Sequence, residues 1–198
     1  GVDRKAEVQF ISGDYFRILG IQPHLGRLLE PADDVAGAPS AAVISYRLWQ
    51  SSFLGDPSIV GRKILIDSVP FTVAGVTPRS FFGVEVGGNP DITLAFASKP
   101  VLSPQFKMLE CRGCYWLNIM GRLRPGVAPA NAEAGLNVVW KNVRRATVPE
   151  SLAERWRAEY FADRVALEPS ANGKSSLRER FTKPLLILLA MAGAILLS

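Results

Sequence analysis

The 198-residue sequence predicts an α+β domain. β-rich runs and helical spacings mix along it without the regular alternation of a doubly wound sheet. Two of the β-rich runs, 63–66 and 71–76, bracket a short turn-forming stretch, as in a hairpin. Two later segments repeat apolar residues at helical spacing.

Residues 10–19 read as a strand end running into a short helix, with Ser12 or Asp14 as cap and Tyr15, Phe16 and Leu19 on one buried face. Gly20 suits the C-terminal cap. Residues 25–39, rich in Pro, Gly and Asp, are expected to be an exposed loop. Residues 41–44 are an apolar strand candidate. Ser45 then caps a helix through Phe53, with Leu48, Trp49, Ser52 and Phe53 at helical spacing, and Gly55 and Pro57 end it. The hairpin follows, with Asp67-Ser68-Val69-Pro70 as its loop. Residues 79–90 are a glycine-rich connector, 92–96 another strand, and 99–114 irregular, with two prolines and both cysteines.

Residues 116–123 alternate: Leu117, Ile119, Gly121 and Leu123 on one face, Trp116, Asn118, Met120 and Arg122 on the other. That period predicts a strand, before a turn at Arg124-Pro125-Gly126. Ala132, Leu136, Val139, Trp140 and Val143 mark an amphipathic helix, and Leu152, Trp156 and Tyr160 a further one after Pro149. A last strand is expected at 164–167, after which Asn172 and Gly173 loosen the chain.

Residues 184–198 carry no charge. As a helix they reach roughly 22 Å at 1.5 Å per residue, short of the ~30 Å hydrocarbon core. They are expected to be the first part of a transmembrane helix, with 179–198 as its truncated start. The competing reading is a buried core helix, but the polar stripe of a docked surface helix is missing and a charged segment precedes the run. Basic residues between Arg178 and Lys183 would sit at anionic lipid heads. Basic flanks more often mark the cytoplasmic side, a statistical rule that large domains escape. Residues 1–5 lack the apolar region of a secretory signal, so if the domain is exported, the exporting segment is expected upstream. The net charge of +5 is spread along the chain. A basic face interleaved with aromatics is not evident, which argues against nucleic acid as a partner.

Catalytic chemistry is hard to assemble from these residues. The one histidine, His24, stands in a Pro/Gly-rich loop and reads as solvated surface. A nucleophile elbow of the Gly-x-Ser-x-Gly kind is absent from the sequence. Gly173-Lys174-Ser175 imitates the end of a phosphate-binding loop, but Glu168 stands where its first glycine belongs. Asp33-Asp34 and Asp56 lie in turn and cap settings. Cys111-Arg112-Gly113-Cys114 is a single C-x-x-C where zinc normally asks for two. A disulfide in an oxidising compartment, two free thiols and a redox dithiol remain its readings, the disulfide foremost. Closing so small a loop stabilises by only ~2 kcal/mol. Neither a cofactor nor a metal is implied.

The order of short motifs carries more. Residues 10–21, Phe-Ile-Ser-Gly-Asp-Tyr-Phe-Arg-Ile-Leu-Gly-Ile, with Leu25-Gly26-Arg27, then Ala42-Val43-Ile44-Ser45, Leu48-Trp49 and Gly55-Asp56-Pro57, resemble MacB-like periplasmic core domains of MacB/FtsX-type ABC transporter permeases. Ile64-Leu65-Ile66, residues 71–76, residues 116–123 and Arg124-Pro125-Gly126-Val127 continue the resemblance. It covers nearly the whole chain, except the region of Cys111 and Cys114 and the helix around Trp156.

The resemblance implies a two-lobed domain. Residues 1–24 and 91–178 would form a βα-rich membrane-proximal lobe, with 25–90 inserted as a second lobe. Residues 1 to about 178 would stand on the outer face of the inner membrane. The domain would lack catalytic residues and relay ATP-driven membrane-helix motion to export or efflux of a substrate. Implied partners are a separate or fused ABC ATPase, the lipid bilayer, a second permease subunit in a homodimer or heterodimer, and a periplasmic protein. Such a relay needs rigid bodies joined by bendable links, for which Gly83, Gly87, Gly88 and Gly173 are the hinge candidates. The alternative is a membrane-tethered module that binds or senses a lipid or peptide, and a membrane-anchored enzyme ranks third.

Overall fold

The computed structural model describes residues 5–105, 107, 111, 114, 116–150, 152–170, 173–174, 184–185, 188–189 and 191. Strand β1 (Val8–Ile11) leads into helix α1 (Tyr15–Leu19), closed by Gly20 at φ 71°. Strand β2 (Leu25–Gly26) is followed by β3 (Ala41–Ile44) and helix α2 (Tyr46–Phe53). The Ser45 hydroxyl accepts from the Leu48 N–H at 3.0 Å, the cap its position predicts. Strands β4 (Lys63–Ile66) and β5 (Val69–Val76) form the hairpin, and β6 (Ile92–Ala95) precedes the short helix α3 (Lys99–Leu102).

Among the described residues the strands make one mixed sheet, ordered β1-β6-β3-β5-β2, with β4 also on β5. β1 runs parallel to β6, and β3 parallel to β5, while β3 and β6 are antiparallel. Every residue of β3 and β6 is buried, because both faces of the sheet are covered. On one face Ala42, Ile44, Phe71, Val73 and Leu94 pack with Leu48 and Trp49 of α2. On the other, Val43 and Ala95 pack with Phe16 of α1 and with Leu28 and Leu29. Each large apolar side chain so buried stabilises by roughly 1.5–3 kcal/mol.

The residues 25–39 therefore differ from a plain exposed loop. Leu28 and Leu29 enter the second cluster, and a 3-10 turn (Pro31–Asp33) is closed by reciprocal capping between Glu30 and Asp33. The hairpin loop is also shorter than its sequence suggests. Asp67 and Ser68 take φ of 46° and 67°, the left-handed values a two-residue hairpin turn needs. Pro70 stands inside β5 opposite Leu65, before β5 begins to pair with β3 at Thr72, so its missing N–H costs no bond to β3.

Helices α4 (Pro129–Ala146) and α5 (Glu154–Ala162) follow. Neither strand expected around them forms. Residues 116–123 alternate, yet among the described residues no strand pairs with them, and Ile119 is 92% exposed. Residues 164–167 are not in a strand ladder either. Side chains of α4 replace it: Asn137 Oδ1 accepts from Val165 N–H at 3.0 Å, and Asn137 Nδ2 donates to Val165 C=O at 2.8 Å. Glu133 Oε2 accepts from Leu167 N–H at 3.0 Å. Among the described residues no helix is long and apolar enough to cross a membrane. Most of 179–198, where a membrane helix is expected, lies outside the described residues.

Candidate functional site: two glycine connectors that meet

The connector from β5 to β6 is pinned at both ends. Thr77 N–H donates to Ile44 C=O at 2.9 Å. At the far end the Asp91 carboxylate, nearly buried, accepts from Arg47 at 2.7 Å and from the Glu7 N–H at 3.2 Å. The same guanidinium donates to Asn89 C=O at 2.9 Å. Near the start, the Phe81 ring packs against Phe16 and Tyr15, with centroids 5.8 and 6.3 Å apart. Burial pushes the Tyr15 phenol up to about 12, against a smaller opposing effect of Gln9.

Between these anchors Arg79, Phe81, Phe82 and Asn89 border a cavity of about 330 Å³ together with Ser45, Tyr46 and Arg47. Gly83 and Gly87 sit at φ of 91° and 87°. Gly88 N–H closes a turn onto Glu85 C=O at 3.0 Å.

The second hinge candidate lies against the first. Lys174 N–H donates to Val84 C=O and Val86 N–H donates to Lys174 C=O, both at 2.7 Å, as a parallel bridge centred on Glu85. Gly173 has φ 75°, and a Cβ there would stand 2.7 Å from the Val84 carbonyl oxygen, too close to fit without movement. Lys174 Nζ also donates to Asn118 Oδ1 at 2.5 Å. Sequence reasoning placed both links, 83–88 and 172–174, and singled out their glycines, but missed that Val84 and Val86 pair with Lys174. The signal for them is the Val84-Glu85-Val86 triplet, a strand-like alternation between glycines.

The other singled-out residues lie elsewhere. Cys111 and Cys114 are joined as a disulfide, with Cα atoms 5.4 Å apart. His24 is exposed and meets the Tyr46 and Trp49 rings at centroid distances of 5.0 and 5.2 Å. Asp33 receives both Arg27 Nη atoms at 2.6 and 2.8 Å. Asp34 accepts from the Gly13 and Ala97 N–H groups at 3.1 and 2.9 Å, tying two distant segments together. Asp56 caps a 3-10 turn through Ser58 N–H at 2.9 Å. Between α4 and α5 a more open cavity of about 450 Å³ is bordered by Arg144, Trp156 and Glu159. There Arg144 pairs with Asp163 and lies 4.8 and 4.1 Å from the Trp140 and Tyr160 ring centres. Among the described residues no cluster of three or more His, Cys, Asp or Glu side chains is placed to hold a metal ion.

The sequence profile of the MacB-like periplasmic core domain matches residues 1–139. Solved structures similar to this chain include the periplasmic region of MacB from Actinobacillus actinomycetemcomitans, at 18% identity and TM-score 0.47, covering 69% of this chain and 56% of that one. The extracellular domain of the noncanonic ABC-type transporter YknZ from Gram-positive bacteria matches at 19% identity and TM-score 0.39, covering 48% and 45%. A permease-protein domain from Porphyromonas gingivalis matches at 17% identity and TM-score 0.45, covering 84% and 68%. The chain thus spans 56% and 45% of the first two relatives. No curated protein matches it.

Proposed function

This chain belongs to the MacB-like periplasmic core domain family of ABC transporter permeases, and we propose that it relays ATP-driven motion of membrane helices to export or efflux of a substrate. The observation that carries this reading is the family match over residues 1–139. The relay needs a stiff body and bendable links. The two-faced sheet is suited to be the body, and the glycine connectors at Gly83, Gly87, Gly88 and Gly173 to be the links.

In this proposal residues 1–24 and 91–178 act as the membrane-proximal lobe and 25–90 as the inserted lobe, with the β6–β3 ladder as the seam between them. Residues 179–198 begin a membrane helix. The working partners are an ABC ATPase, a second permease subunit and a periplasmic protein. The apolar cavity bordered by the connector favours one alternative, a membrane-tethered module that binds a lipid or peptide.

The test uses the full-length protein in intact cells. Lys63→Cys places a thiol on an exposed position of β4. A membrane-impermeant maleimide is expected to label it without opening the inner membrane, and the purified protein to carry an ATPase whose hydrolysis alters that labelling rate. Labelling only after permeabilisation overturns the extracytoplasmic placement. Outside labelling that no nucleotide changes overturns the relay and favours the binding module.

A further inference from the structure

We propose that the contact between residues 84–86 and 173–174 is a releasable clasp, through which the C-terminal segment pulls on the connector that borders the α2 cavity. This rests on the relay reading, and it replaces two independent hinges with one coupled joint.

Four observations support it. Among the described residues the contact consists of two backbone hydrogen bonds, both 2.7 Å. So small a ladder holds two strands in register yet opens without disturbing β3, β5 or β6, whose bonds lie elsewhere. Glycines with left-handed φ stand beside it at Gly83, Gly87 and Gly173, so both chains can turn where they leave the contact. At Gly173 a side chain is excluded by the Val84 carbonyl itself, which ties that glycine to the contact and not only to flexibility. Finally, the connector is anchored at Thr77 and Asp91, and residues on either side of 84–86, Phe82 and Asn89, border the cavity, so a displaced middle shifts the cavity rim while the ends stay fixed.

The joint has a direction. Lys174 stands ahead of the segment expected to enter the membrane, and Glu85 stands midway along the connector. Displacing 173–174 therefore either drags residues 84–86 with it or releases them. Both change how Phe81 and Phe82 border the cavity with Tyr46 and Arg47. The Lys174 ammonium, bound to Asn118, lies outside the backbone contact, so its charge is dispensable for the clasp.

Amide hydrogen exchange on the full-length permease with its ATPase tests this, comparing nucleotide-free protein with protein trapped by ATP and vanadate. The Val86 and Lys174 N–H groups are expected to change protection together, by about tenfold, between the two states. Gly173→Ala is expected to leave Val86 fast in both states. Val86→Pro, which removes one donor without touching 173, is expected to free Lys174 likewise. Lys174→Ala should behave as the parent. Slow amides in β3 and β6 report that each variant is folded. Unprotected Val86 and Lys174 in the parent, or protection that ignores nucleotide while other parts of the domain respond, overturns the clasp and leaves the relay standing. If no part of the domain responds to nucleotide, the relay fails and the clasp with it.

Discussion

Asp33 accepts hydrogen bonds from both Arg27 Nη atoms and from the Glu30 N–H at 2.9 Å, while its own side chain is only 8% exposed. The Arg27 bonds hold its carboxyl below the usual carboxylate range. The Glu30 N–H and the Arg27 charge add to that, and burial opposes it. A depressed native pKa means the unfolded state takes up the proton first. The stability from Asp33 is thus complete above the ordinary carboxylate pKa of about 3.9 and is lost as pH falls through its lower native value. Arg27 is half exposed, which keeps the pair well short of a fully buried one. Asp33→Asn is expected to cost about 2 kcal/mol at neutral pH. The gap between parent and variant should close in acid, as read from urea midpoints at pH 7 and below pH 3.5. A gap that persists unchanged in acid would show that the charge is irrelevant. The turn setting of Asp33 was legible from Pro31 and its neighbours. Its partner was not, because residues six apart are neither i, i+3/i+4 neighbours on a helix nor within reach of each other along a strand, so their contact depends on how the loop folds back.

At the scale of elements, sequence was most legible where local chemistry and packing agree. β3 reads from its unbroken apolar run and α2 from Ser45 and the Leu48/Trp49 spacing; β3 is buried throughout, and α2 buries Leu48 and Trp49 while Ser52 stays exposed. The hairpin was legible, but its turn was placed across four residues because Pro70 looks like a turn residue. In the sheet, Pro70 falls where β3 does not reach β5, and Asp67 and Ser68 do the turning. Ser68 holds φ 67° at a steric cost that glycine escapes. Ser68→Gly is expected to raise stability by about 0.5–1 kcal/mol, the relief of left-handed strain outweighing the extra freedom of the unfolded chain. The urea midpoint should rise with an unchanged slope, and a fall would mean that Ser68 is not strained. The segment at 116–123 failed for a different reason. Alternation states which faces a strand would have, not whether an edge exists to pair with. The clasp was illegible for the same reason, since Val84 and Lys174 are ninety residues apart in the chain and two bonds leave little trace in composition.

The whole molecule is unevenly stable. Ala42, Val43, Ile44, Phe71, Val73 and Leu94 are fully buried, between covers on both sheet faces. Among the described residues α4 and α5 have no comparable core. Leu136, Val139 and Val143, three of the apolar positions that marked α4 as amphipathic, are 44%, 58% and 40% exposed, and Trp156 of α5 is 51% exposed. Among the described residues the contacts that tie this half together include the Arg144–Asp163 pair, the rings around Arg144, and the Asn137 and Glu133 bonds to the chain after α5. Even around Arg144, whose side chain is 7% exposed, a buried ion pair returns little beyond the desolvation it costs, less than the burial lost when apolar stripes stay open. A body that opens in parts, with the sheet last, is what a relay between membrane and cargo requires, because motion must bend connectors before it breaks the frame. Native-state hydrogen exchange should therefore show β3, β5 and β6 amides exchanging only through global unfolding. The α4 and α5 amides should exchange through local openings that cost about 2–3 kcal/mol less, and so roughly 30- to 150-fold faster. Asn137→Ala removes the side chain that holds Val165 on both its N–H and its C=O. It should widen that gap by accelerating α4 and α5 while leaving the sheet amides at the parent rate. If α4 amides in the parent are as slow as those of β3, the two halves unfold as one unit, and the graded stability argued from burial does not exist.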